Sequence, residues 1–156
     1  MDPERAYGQD VVDARETWPM IDHVSLGVRD LDRSRRFYDA ALRPLGLVRI
    51  VDFERRGSDY GNAPGSPGVE FTITEESGVV PLRGMHICFL AHDRDAVTAF
   101  YEVALANGGR GDGAPGLRPQ YHASYYCAFV LDPDGHRVEA VCHAPVSDET
   151  IKRGPS

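Results

Sequence analysis

The chain has no basic surplus: 24 acidic side chains outnumber 17 basic ones, for a formal net charge of −7. A nucleic-acid partner normally demands a basic face, so none is expected. No apolar run approaches the roughly 20 residues that cross a bilayer, so no membrane span is expected either. The opening stretch MDPERAYGQDVVDARETWP contains no apolar segment of the kind a secretory signal needs, and a cytoplasmic location is the expectation. The three cysteines, Cys88, Cys127 and Cys142, are an odd number with no CxxC spacing. They lie in apolar strand-like runs, so free buried thiols are expected in place of disulfides or a thiolate zinc site. What remains is 42% apolar and 26% charged residues in a chain of 156. That is an ordinary globular composition, long enough for one domain or for two small modules sharing a core.

Within that length one pattern occurs twice. The stretch DHVSLGVRDLDRSRRFYDAAL, Asp22 to Leu42, is echoed by MHICFLAHDRDAVTAFYEVAL, Met85 to Leu105. An offset of 63 residues carries His23 onto His86, Asp30 onto Asp93, Phe37-Tyr38 onto Phe100-Tyr101 and Gly46 onto Gly109. A self-match at fixed offset marks a duplicated supersecondary unit. Each copy reads as a strand, a turn at the Asp, and an amphipathic helix ending near a Gly. Each half also has a Val-Glu pair farther on, Val69-Glu70 and Val138-Glu139.

In chain order, residues 1–19 read as an accessory arm. One domain spans 20–143, built of modules 20–78 and 84–143, and 144–156 form a tail. Strands are expected over Ile21–Val28, Leu47–Phe53, Val69–Thr74, Met85–Leu90, Tyr125–Leu131 and His136–His143. The first helix is expected from an N-cap at Asp32 to Leu42, with the arginine run RSRR mainly in solvent, and the second from Ala96 to Ala106. The Gly- and Pro-rich stretches from Ser58 to Gly68 and from Gly111 to Ser124 read as irregular loops. Asp132-Pro133-Asp134-Gly135 between two apolar runs is hairpin chemistry.

Strand alternation then yields the chemical inference. Val24, Leu26 and Val28, like Ile87 and Phe89, belong on the face that meets a helix. His23, Glu70, His86 and Glu139 all fall on the opposite face, so a curled sheet would turn them into one concavity. Carboxylates in an enclosed cavity are costly unless paired or metal-bound, and imidazoles beside them meet both needs. Two imidazole nitrogens and two carboxylates suit one divalent ion of the Zn, Ni, Co, Mn or Fe(II) type. Arg118, Tyr121, His122, Tyr125 and Tyr126 form a polar and aromatic group placed to line the mouth. There Arg118, Tyr121 and Tyr125 are candidates for substrate binding, and His122 and Tyr126 for proton transfer. His92, His136 and His143, in turns or near the chain end, read as structural.

The segments DHVSLGVRDLDRSRRFYDAALRPLGL, GMHICFL and AFVLDPDGHRVEAVCH together resemble the vicinal oxygen chelate superfamily, which includes glyoxalase I, extradiol dioxygenases and bleomycin-resistance proteins. The resemblance covers residues 20 to 143. It implies an α+β fold of two tandem βαβββ modules forming a curled mixed sheet around a metal-binding cavity. It also implies a homodimer, with His23, Glu70, His86 and Glu139 as the metal ligands. Where glyoxalase I has an arginine for the glutathione carboxylate this chain has Gly27, and where it has an asparagine this chain has Thr74. The expected activity is therefore a lyase or isomerase of the glyoxalase type on a small substrate with vicinal oxygens, not linked to glutathione. Glu139 or Glu70 would move the proton. The alternatives are an Fe(II) extradiol-type dioxygenase using His23, His86 and Glu139, and a metal-free protein that sequesters a drug.

Overall fold

Among the described residues, apolar side chains recur at helical spacing in two stretches, and both are helices. The computed structural model describes residues 21–53, 56–62 and 70–145. Its elements run β1 (Val24–Val28), α1 (Leu31–Leu42), β2 (Val48–Phe53), β3 (Gly57–Gly61) and β4 (Phe71–Glu75). The second half repeats the order as β5 (His86–Leu90), α2 (Arg94–Ala106), β6 (Arg110–Leu117), β7 (Tyr126–Leu131) and β8 (Arg137–Cys142). Each half is a βαβββ module whose strands form a four-stranded mixed sheet, in the orders β1-β4-β3-β2 and β5-β8-β7-β6. The first strand of each module lies parallel to the last, the pairing that a crossover helix permits. The two sheets remain separate and are not closed into one. The expected arm 1–19, Val69, most of the Ser58–Gly68 stretch and the tail beyond 145 lie outside the described residues.

The first helix starts two residues earlier than expected. Asp30, not Asp32, caps α1: its backbone is extended, and its carboxylate accepts from the Arg33 amide. Asp32 sits in the first turn, where its charge faces the helix dipole. Asp93 caps α2 in the same manner through Ala96 N, so α2 begins at Arg94, ahead of the expected Ala96.

Two stretches expected to be loops contain strands. Ser58, Asp59 and Tyr60 are buried in β3, between β2 and β4, because pairing on both sides satisfies a polar backbone. Gly57 is required there, since a Cβ would stand 2.6 Å from the Ile73 carbonyl oxygen. β6 is a glycine-rich edge strand whose register against β7 shifts at Gly111/Gly113 and Gly113/Gly116, as bulges do.

One core joins the modules. Phe37, Tyr38, Ala41 and Leu42 of α1 and Val97, Phe100 and Ala104 of α2 are buried together with Phe71, Ile73, Val130 and Val138. Phe71 and Phe89 meet edge to face across the modules at 5.4 Å. Gly109 lets the second module approach closely, for a Cβ there would lie 2.6 Å from the Phe37 ring. The Asp132–Gly135 turn locks the arrangement. Asp132 accepts from the Tyr38 hydroxyl at 2.8 Å, and Asp134 accepts from Arg29 N at 3.0 Å and from Arg33 Nη2 at 2.5 Å. The arginine run is thus less solvated than expected. Arg33 bridges the modules and Arg35 reaches Ser58 and Asp52, while Arg36 stays exposed. His136 Nε2 donates to the Gly27 carbonyl at 2.9 Å, a further tie between the modules.

Candidate functional site

Alternation in the second sheet divides two chemistries. Ile87, Phe89, Val138, Ala140 and Cys142 face the helices, while His86, Cys88, Arg137, Glu139, Val141, Cys127 and Phe129 share the other face. Glu139 is the anomaly there, a carboxylate only 1% exposed. Its Oε2 lies 3.0 Å from His86 Nε2 and its Oε1 accepts from the Tyr125 hydroxyl at 2.8 Å. Both oxygens are thereby engaged, which is what a buried carboxylate needs. Burial and the neighbouring Glu139 push the Tyr125 hydroxyl far above its ordinary pKa, so it stays a donor. The same two causes raise Cys127 to about 11 and hold Cys88 higher still, so both thiols are protonated at neutral pH. Cys127 and Cys142 are buried as expected, whereas Cys88 is exposed on the site face.

Beside Tyr125 stands a set of rings. His122 Nε2 and His143 Nδ1 are 2.7 Å apart, and Tyr125 makes edge contacts with both rings. His122 Nδ1 accepts from Ser124 N. Its proton is therefore assigned to Nε2, which donates to His143. Tyr121 completes the group against Tyr125 at 4.9 Å. Two expectations change here. Tyr126 points to the helix side and lies under the Arg94 guanidinium, because it alternates with Cys127. Arg118 donates to the Ala114 and Leu117 carbonyls. Conversely, His143, read as structural, belongs to the ring group. The signal was present in its alternation with Glu139.

The first sheet presents a different face. His23 is half exposed and bonded through Nδ1 to Asp22 at 2.6 Å, and Glu70 accepts from Asn62 Nδ2 at 2.6 Å. The parallel register corrects the expected equivalence of the two glutamates. Val24 pairs with Phe71 and its counterpart Ile87 pairs with Val138, so the pairing makes Phe71 the counterpart of Val138, although no single sequence offset relates both pairs. Thr72 therefore takes the place of Glu139, and Glu70 that of Arg137. Thr72 donates to Asp59, itself buried. His86 and Glu139 are brought together. His23 and Glu70 do not join them within one chain, and among the described residues no group of three His, Cys, Asp or Glu is positioned to hold an ion. The imidazole and carboxylate of His86 and Glu139 still fit half of a divalent donor set.

A cavity of about 280 Å³ adjoins His86. Ser25 and Gly27 of β1, Val79 to Leu82 of the connector, and Arg137 line it.

The comparisons agree with this architecture. Residues 20–140 match the family model for the Glyoxalase/Bleomycin resistance protein/Dioxygenase superfamily. A lactoylglutathione lyase of Haemophilus influenzae is 31% identical over 122 residues, covering 76% of this chain and 89% of that one. A glyoxalase/bleomycin resistance protein of Albidiferax ferrireducens superposes with a TM-score of 0.69 at 32% identity, covering 81% of this chain and all of the other. A glyoxalase I variant of Zea mays superposes at 0.60 with 25% identity over 78% of this chain, which spans 45% of the maize chain. With a match along most of its length and the duplicated βαβββ module that accompanies it, this chain belongs to the Glyoxalase/Bleomycin resistance protein/Dioxygenase superfamily.

Proposed function

We propose that the protein is a divalent-metal-dependent lyase or isomerase of the glyoxalase type, acting on a small substrate with vicinal oxygens and without glutathione. The observation that carries this reading is the His86–Glu139 pair, a buried carboxylate and an imidazole at 3.0 Å with Tyr125 behind them. His23 and Glu70 of a second copy would supply the other half of the donor set. Their sheet face supports that arrangement: Val51 and Phe53 lie on it 44% and 45% exposed, and Leu90 on the matching face of the second sheet is 69% exposed. A half-solvated antiparallel sheet normally carries polar residues there, so these apolar side chains suit coverage by another copy.

A divalent ion held by these residues would polarise two adjacent substrate oxygens. Tyr125 keeps the Glu139 carboxylate aimed at His86. Glu70, held at Oε1 by Asn62, is the more exposed carboxylate and would carry a proton between neighbouring carbons. The absence of a glutathione site is supported by Gly27, whose missing side chain leaves a gap closed by Glu76 and Val79. An acid at that place repels a carboxylate.

The register favours one alternative. With Thr72 at the place of Glu139, the donor types reduce to His23, His86 and Glu139, the two-His-one-carboxylate set of Fe(II) oxygenases. Metal analysis of protein purified without added metal or chelator separates the readings. Nickel, cobalt or zinc selects the lyase, iron with oxygen uptake on catechols selects the oxygenase, and no metal selects a binding protein. In the same preparation, turnover of the methylglyoxal–glutathione hemithioacetal at a kcat/KM of about 10⁴ M⁻¹s⁻¹ or more would overturn the glutathione-free reading.

A further inference from the structure

The cavity beside His86 has walls of two kinds. From the connector come Val80, Leu82 and Met85, exposed by 74%, 69% and 47%, and they converge on one space. Scattered surface apolars are ordinary, but a cluster around a concavity marks a binding site. The remaining walls carry the polar side chains of Ser25, His86, His136 and Arg137, and of these His86 and Arg137 are direct partners in the β5–β8 register. Arg137 is fixed in place: its Nε donates to Asp112 at 2.6 Å and its guanidinium lies 4.0 Å over the Phe129 ring. Those contacts spend one N–H and leave the terminal fork as a donor pair suited to a carboxylate.

The connector is held in place too. Arg29 Nε and Nη2 both donate to the Val79 carbonyl, Met85 N donates to the Leu82 carbonyl, and Pro81 lies against Gly135. The apolar wall is thus preformed and does not have to be ordered by a ligand. A volume of about 280 Å³ admits one aryl or branched-alkyl group and little more.

We infer that this cavity is the specificity pocket for a small aryl or branched-alkyl 2-oxo or 2-hydroxy acid. Its apolar group would lie against Val80, Leu82 and Met85, and its carboxylate would meet Arg137, so that the neighbouring oxygen faces His86. This inference rests on the reading of His86 and Glu139 as half of the reactive site, yet the cavity itself needs no metal. Arg137, not Arg118, is the anchor, since Arg118 is turned to the backbone of its own loop.

The test uses the full chain stripped with chelator, with phenylglyoxylate as probe and amide chemical-shift mapping as readout. Phenylglyoxylate is expected to shift the amides of Gly27, Val79, Leu82 and Ile87, with pyruvate and acetophenone each binding more weakly. Leu82→Glu places a carboxylate in the apolar wall and is expected to weaken phenylglyoxylate by about tenfold or more. Arg137→Gln is expected to weaken phenylglyoxylate while leaving acetophenone unchanged. Should Arg137→Gln not fold, the exposed Leu82 site keeps the question decidable. Shifts confined to other residues, or equal affinity in Leu82→Glu, would overturn the inference. Binding that survives while metal analysis finds no ion would retain the pocket and sink the proposed chemistry instead.

Discussion

Thr72 and Glu139 occupy the same place in the two halves of the chain, each on the last strand of its module and each one residue beyond the partner of a β-branched residue, Val24 or Ile87. One place holds a hydroxyl donating to Asp59, the other a carboxylate engaged by His86 and Tyr125. The duplicated unit is thus chemically unequal, and the second half carries the paired imidazole and carboxylate. Replacing His86 by Ala should weaken divalent-metal affinity by at least about 100-fold, the upper end of what losing a mere orienting partner costs. Glu70→Gln should cost much less than Glu139→Gln. Metal titration by calorimetry would check both, and unchanged affinity in His86→Ala would sink the site.

Tyr125 acts on Glu139 through one hydrogen bond. Tyr125→Phe should lower metal affinity by about 10- to 100-fold with the fold intact, since only a hydroxyl is removed. Circular dichroism beside the titration distinguishes that loss from unfolding.

The uncovered apolar faces lead to an oligomer prediction. The protein should sediment as a homodimer at micromolar concentration, and Leu90→Glu should shift it toward monomer because a carboxylate would replace an apolar contact. A monomeric parent protein would count against a site completed between copies.

Burial, and then the neighbouring Glu139, push the Cys127 thiol up to about 11. The thiolate is the reactive form, and a raised pKa moves its appearance to higher pH. At pH 8 a group with that pKa is thiolate about one part in a thousand, against roughly a quarter for a free cysteine near 8.5. Native-state labelling by a disulfide reagent should therefore be slower than for a free thiol by about two orders of magnitude, recovering as pH approaches 11. Rapid labelling of Cys127 at pH 8 would contradict its placement.

The Tyr38–Asp132 hydrogen bond joins the two modules inside the core. Tyr38→Phe should destabilise the protein by about 1.5–3 kcal/mol, the range for a hydrogen bond to a charged group. Asp132 has a second, pH-dependent signature. Burial raises its pKa in the folded state. The folded protein then holds this proton to higher pH than the unfolded chain does, so the Asp132 contribution falls as pH rises from near the unfolded value through the folded one. Denaturant melts of Asp132→Asn over acidic pH should lack that component.

The sequence alone determined what depends on local spacing. The offset match set the two modules, alternation sorted Ile87 and Phe89 from His86, and it sorted Val138 and Ala140 from Glu139, because side-chain direction along a strand follows the backbone period. The turn at Asp132–Gly135 was legible for the same reason, since its residues have turn chemistry of their own. Tertiary structure decided what depends on partners distant in the chain. β3 and β6 read as loops because Ser58, Asp59 and the glycines of Arg110–Leu117 have little strand propensity, and only pairing with β2, β4 and β7 makes strands of them. The match of Val69-Glu70 to Val138-Glu139 misled for a related reason. Which residue of β4 stands opposite β1 is fixed by register between strands more than 40 residues apart, and a shift of two residues preserves the face while exchanging Glu70 for Thr72. The gathering of His143 with His122, and the closing of the connector around Arg137 and His86, likewise needed the fold. Each joins residues whose spacing carries no period, so only packing can bring them together.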